Sequence, residues 1–262
     1  MLTDLYKKMN FAGFYSIYHK EVKRFLKVYN QTLIAPIINS LLFLAIFTLA
    51  IGQKINEING IPFEVFMAPG LIAMVIIQNA FANSSSSLTM AKVLGHIVDF
   101  LIPPLSATSL TTAICLAAAT RGIIVGVLSF IAIKIFIPID IHNITITIIY
   151  FVLTASALGT IGLLCGLYAN NFDQMSAITS YIITPLSFLS GTFYSVTSLP
   201  GIWQNISHFN PFFYMIDGIR YGIAGYHDGN ITTGIIYLVF LNIILMIISI
   251  IWIKSGYRIK EK

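Results

Sequence analysis

Long uncharged stretches constrain this chain more than any other feature. Residues 28–53, 65–91, 141–172, 174–216 and 229–253 contain no Asp, Glu, Lys or Arg, and 100–133 contain only Arg121. A helix needs about 20 largely apolar residues to cross the hydrocarbon of a bilayer, and every one of these runs is long enough. Charged residues make up 10% of the chain and hydrophobic ones 57%, whereas about 25% charge is usual in a soluble domain. So little charge cannot cover a water-facing surface, which excludes soluble enzymes, disordered tails and fibrous proteins. Backbone groups in lipid must be hydrogen-bonded internally. The runs lack the roughly ten-residue alternation of a membrane barrel. The expectation is an all-α polytopic membrane protein.

Trimmed by hydropathy, the runs predict six transmembrane helices, at about 32–51, 66–88, 108–137, 144–168, 176–196 and 232–253. Residues 1–30 form an N-terminal interface segment and 31–262 the membrane domain. Lysine and arginine placement sets orientation. Lys7, Lys8, Lys20, Lys23, Arg24 and Lys27 precede the first span. Lys254, Arg258, Lys260 and Lys262 follow the last, and Lys92 lies between spans two and three. Lys54, Lys134 and Arg220 fall on the opposite side. Both termini are therefore expected in the cytoplasm. The segment ahead of the first span is too long for the n-region of a signal peptide. Cys115 and Cys165 both sit in apolar runs, with neither disulfide nor metal-ligand spacing. The net charge of +5 reports cytoplasmic loops, and no nucleic-acid partner is implied.

Residues 11–29 carry an apolar and aromatic stripe at steps of three and four, including Phe11, Phe14, Tyr18, Val22 and Phe25, with lysines largely opposite. Such a helix lies in the membrane interface, either as a simple anchor or as a lever to span one. The loop 89–107 predicts a short amphipathic helix at about 91–101, stopped by Pro103 and Pro104. Its Lys92, Gly95, His96 and Asp99 are candidate docking residues for a soluble subunit; an ordinary interface helix fits as well. Span two carries Gln78, Asn79, Asn83 and Ser84–Ser87 at membrane depth, where polar groups are costly. They either line a pathway or pack against neighbouring helices. Arg121 is either buried and bundle-facing or at the inner boundary, according to where span three begins.

Segment 187–228 is the most informative. Gly191, Pro200 and Gly201 break any continuous helix. Asn210 before Pro211 is a helix start, with a capping side chain followed by proline at the first helical position. Asp217 and Arg220 are three apart, so they can pair. The density of Trp, Phe and Tyr suits a membrane interface, so the segment reads as a re-entrant helical hairpin between spans five and six.

These residues resemble the signature region of type-2 ABC exporter permeases: Phe188-Leu189-Ser190-Gly191-Thr192-Phe193-Tyr194, Leu199-Pro200, and Asn210-Pro211 with Asp217 and Arg220-Tyr221-Gly222. The resemblance extends over nearly the whole chain, through Leu101-Ile102-Pro103-Pro104-Leu105-Ser106 and Arg121-Gly122, and is strongest to small stand-alone bacterial permeases. It implies a multi-pass subunit of the bacterial cytoplasmic membrane that pairs with a second permease copy. Two cytoplasmic ATPase subunits, which bind ATP and Mg, would dock on the 91–101 helix. Residues 11–29 would be the connecting helix. Spans one, two and five would line the path, and the hairpin would form an outer gate with Gly191, Pro200, Asn210, Pro211, Asp217 and Arg220. Many relatives have a more acidic docking helix, which bears on the ATPase this chain accepts.

The chain itself has no G-x-x-x-x-G-K-[ST] phosphate loop, so it is not expected to be an enzyme alone. A self-contained carrier or channel is the alternative. It fits less well, because every carboxylate lies at or near a span end and no repeat is evident. A membrane enzyme lacks any G-x-S-x-G or H-E-x-x-H cluster.

Overall fold

The computed structural model describes residues 11–50, 52, 56–96 and 105–256. In chain order the elements are α1 (Phe11–Lys27), α2 (Asn30–Ala50), β1 (Glu57–Ile58), β2 (Ile61–Pro62), α3 (Phe63–Val93), α4 (Ala107–Phe136), α5 (Ile144–Tyr168), α6 (172–189), α7 (Gly201–Phe209), α8 (Pro211–Ala224) and α9 (Ile231–Ser255). Two of them contain a π-turn: α2 opens with one at Asn30–Ile34, and α6 carries one at Thr179–Ile183. Among the described residues five helices are long and apolar enough to cross a membrane: α2, α3, α4, α5 and α9.

Side chains set the helix starts. Ser106 accepts from the Ser109 amide at 3.0 Å to begin α4, and Asn143 accepts from Ile146 N at 3.1 Å to begin α5. Asn230 accepts from Thr233 N at 3.0 Å to begin α9. Each satisfies one of the amides that a helix start leaves without a partner. Gly225 and Gly256, with φ of 74° and 69°, end α8 and α9 in the left-handed conformation open to glycine.

The bundle is built around α3. Of its most apolar stretch 83% is buried inside the protein, against 11% for α2 and 17% for α9. Helices α4 and α5 flank it, while α2 and α9 turn Ile38, Leu42 and Ile46, and Ile236, Phe240 and Ile247, outward. Central placement explains how α3 tolerates Asn79, Asn83 and its serines, since none of them faces hydrocarbon. Close approach of α5 depends on Gly162 and Gly166. A Cβ on Gly162 would strike the Phe81 carbonyl, and one on Gly166 would lie 2.9 Å from the Ser85 carbonyl. This is the small-xxx-small packing of membrane helices. Cys115 is buried and Cys165 half-buried, and both are free thiols.

Three expectations change. The helix of the fifth run starts at 172 and stops at Leu189, short of the expected 176–196, because Gly191 takes φ 86° and the chain turns back. The N-terminal helix ends at Lys27. The expected 91–101 helix is not separate at its start: α3 runs on to Val93, and a turn follows at 94–96 with Gly95 at φ 73°. Asp99, Pro103 and Pro104 lie outside the described residues. The loop after α2 also adds a small antiparallel hairpin, with Ile58 opposite Ile61. Asn59 and Gly60 hold its turn with φ of 51° and 82°, the two-residue geometry that Asn-Gly favours.

Candidate functional site

Chemistry-bearing side chains gather in three places along α3. The first is at its α8 end. Pro200 and Pro211 start α7 and α8, and Asn210 between them both caps and ties. Its side chain accepts from Phe212 N at 3.0 Å and donates to Ser190 Oγ at 2.8 Å. Almost all of α8 is buried, so this is no solvated loop. Its neighbour α7 turns Ile202, Trp203 and Phe209 outward, as a membrane-interface helix would.

Asp217 and Arg220, which their spacing allows to pair, form no salt bridge with each other. Each is about 2% exposed or less and finds fixed backbone partners instead. Arg220 donates to the carbonyls of Phe66, at 3.3 Å, and Gly191, and its guanidinium lies 4.1 Å from the centre of the Phe66 ring. Asp217 accepts from the amides of Asp228 at 2.7 Å and Gly229 at 2.9 Å. A carboxylate satisfied by two backbone amides has less to gain from a neighbouring cation. Asp228 continues the network to Ser195 Oγ at 2.6 Å and Val196 N at 2.8 Å. Tyr226 donates to Asp228 at 2.6 Å and accepts from Asn59 at 2.5 Å. Burial, and then the hydrogen bond to Asp228, push the Tyr226 phenol above its ordinary pKa, which keeps it a donor. Gly191, Asn210, Pro211, Asp217 and Arg220 are thus drawn together. Sequence reasoning missed Asp228, Ser195, Tyr226 and Asn59. The Asn59-Gly60 turn signal was the one legible clue.

The second place is midway. With α4 starting at Ala107, Arg121 falls inside the bundle, 8% exposed. Its Nη2 donates to Asn79 Oδ1 at 2.9 Å, and Asn79 Nδ2 donates to Val75 O at 2.9 Å. Both residues, with Gln78, line an open-sided cleft of about 470 Å³ between α2, α3 and α6. Asn83 and the serines lie off it. Ser84 Oγ donates to the Gly159 carbonyl at 2.6 Å, so it packs α3 on α5.

The third is at the α1 end, where an ion pair within α1 hydrogen-bonds to α3. Glu21, 1% exposed, accepts from Ser87 Oγ at 2.7 Å and pairs with Arg24 at 2.9 Å. Arg24 donates to Asn83 O at 2.7 Å, Asn83 Oδ1 at 3.2 Å and Ser86 Oγ at 3.3 Å. Helix α1 is therefore clamped to α3 and does not simply float in the interface. Sequence reasoning passed over Glu21, although it is an acidic residue on the same face as Ile17 and Phe25 at steps of four. One turn beyond the clamp, Lys92 donates to the carbonyls of Leu167 and of Ala169, the latter at 3.1 Å, and so caps α5. Gly95 and His96 follow in the exposed turn. Among the described residues no His, Cys, Asp and Glu group could hold a metal ion.

The family model for the ABC-2 type transporter matches residues 12–224. The chain is 36% identical to the inner membrane transport permease YadH of Escherichia coli (strain K12), over 93% of this chain and 96% of that protein. It is also similar to nodulation protein J of Sinorhizobium fredii, at 26% identity over 65% of each chain. The corresponding protein of Rhizobium meliloti is 21% identical over 74% of each. The matched region runs from the clamped N-terminal helix through the buried α8, and on that ground the chain belongs to the ABC-2 type transporter family.

Proposed function

We propose that the chain is the membrane subunit of an ATP-driven exporter of the bacterial inner membrane. It has six spans, with α6 as the fifth, and both termini are cytoplasmic. Two copies pair and dock two cytoplasmic ATPase subunits, which bind ATP and Mg. The observation that carries this reading is that α3 touches all three of the polar centres described above. At one end the Phe66 carbonyl and ring hold Arg220. Midway Asn79 holds Arg121. Lower down Asn83, Ser86 and Ser87 hold α1, and Lys92 holds the end of α5. At 31 residues the helix is about 46 Å long, so it behaves as a rod across the membrane.

Its loop end, with Lys92, Gly95, His96 and Asp99, receives the ATPase. Movement there carries α1 along through the Glu21–Arg24 clamp. The same rod reaches Arg220, so the network around Asp217 and Asp228 is the closure that must open for cargo to leave. Gly191, Pro200, Asn210 and Pro211 shape that gate. Two discrete packings joined by a rigid element are how such coupling is transmitted.

The test is purification of the tagged chain in mild detergent from its native cell, with mass spectrometry of what accompanies it. A soluble chain with a G-x-x-x-x-G-K-[ST] loop at equal stoichiometry is expected, and Glu21→Ala should keep it bound while lowering transport-linked ATPase turnover. Repeated recovery of the chain alone, with crosslinking, would favour a self-contained carrier.

A further inference from the structure

Among the described residues no carboxylate forms an ion pair with Arg121. Around the cleft, the uncharged runs 28–53, 65–91 and 174–216 supply α2 and most of α3 and α6, and none of the cleft-lining residues is acidic. Arg24 is already matched by Glu21. Burying a cation without a counter-charge is costly. Arg121 Nε is buried and has no hydrogen-bond acceptor among the described residues, while Nη2 has only a neutral amide oxygen.

The walls of the same cleft are specialised in a second, independent way. The π-turn of α2 contributes Gln31, and the π-turn of α6 contributes Thr179 and Ile183. These are the two π-turns among the described residues, they lie on different helices, and both open onto one space. Such insertions are uncommon and concentrate at functional sites. Gln31, Asn39 and Gln78 add amide donors, and Phe43 and Phe188 add apolar wall. A volume of about 470 Å³ suits a headgroup rather than a whole lipid. The open side leaves room for a tail.

We infer that this cleft binds an anionic amphipath, its phosphate head on Arg121 with the amides of Gln31, Asn39 and Gln78 around it and its apolar tail against Phe43 and Phe188. A planar guanidinium matches phosphate oxygens in a bidentate fork. The inference rests on the permease reading only in taking this ligand for cargo at its point of entry; binding itself needs no ATPase.

The test uses the purified full chain in phosphatidylcholine nanodiscs, titrated with dioleoyl phosphatidic acid, with dioleoylglycerol (the same tails without phosphate), and with inorganic phosphate. Saturable binding is read from lipid retained by native mass spectrometry and from the thermal midpoint. Phosphatidic acid should bind saturably, and the other two should bind at least about tenfold more weakly, the scale of one charge-assisted contact. Arg121→Gln should lose that preference. If Arg121→Gln fails to fold, Asn39→Trp, at an exposed position on the cleft rim, should block binding without disturbing the core. Lys134→Gln, remote and exposed, should bind as the wild type does. Equal binding by the wild type and both cleft variants, or by dioleoylglycerol, would overturn the inference. Inorganic phosphate binding as tightly as phosphatidic acid would show a free-anion site and overturn the amphipath. Failure to recover an ATPase would count against the permease reading and leave this result standing.

Discussion

Asp217 shows what one buried carboxylate does in this protein. Its two oxygens accept the amides of Asp228 and Gly229, which fastens the turn between α8 and α9. Asp217→Ala leaves both amides without that acceptor, which costs about 1–3 kcal/mol. A lower thermal midpoint is expected, together with faster hydrogen exchange at residues 228 and 229; unchanged exchange there would show that the carboxylate does not hold the turn. The Asp217–Arg220 spacing was visible in the sequence, but pairing was not decidable from it. At three residues apart on a helix the two side chains can meet. Whether they do depends on competing partners, here the carbonyls of Phe66 and Gly191, which the chain delivers from 154 and 29 positions away.

Elements were easier to read than contacts. A span announces itself by twenty apolar residues, which is a local property, and α5 begins and ends at the expected 144 and 168. Helix α6 ends early because of a reversal at Gly191, and its π-turn left no trace in hydropathy. The closeness of α3 and α5 was likewise hidden, since Gly162 and Gly166 mean nothing until a partner surface is known. Gly162→Leu should force the two helices apart at Phe81 and Ser84, costing about 1–3 kcal/mol or more and sharply lowering the yield of folded protein in detergent. Leu164→Val, at a half-buried position two residues on, should be tolerated. Equal recovery of both variants would place the helices further apart than described.

For the whole molecule the orientation rests on where cations fall. In a background with Cys115 and Cys165 changed to Ala, a cysteine at Glu57 in the β-hairpin should label from outside intact cells. One at His96 in the turn after α3 should label only after permeabilisation. The reverse pattern would invert the topology and move the docking loop to the wrong face. The amino-acid sequence alone determined that this chain is an all-α membrane protein, where five of its long apolar helices lie, and which end of the bundle carries most of the cations. Each of these follows from local composition, because a lipid environment selects residues one segment at a time. Only the tertiary structure decided that α3 stands at the centre, that Glu21 and Arg24 clamp α1 to it, and that Arg121 faces a cleft with no acid among its described lining residues. Those outcomes depend on which residues far apart in the chain come within 3 Å of one another, and hydropathy, which is blind to partners, carries no record of that.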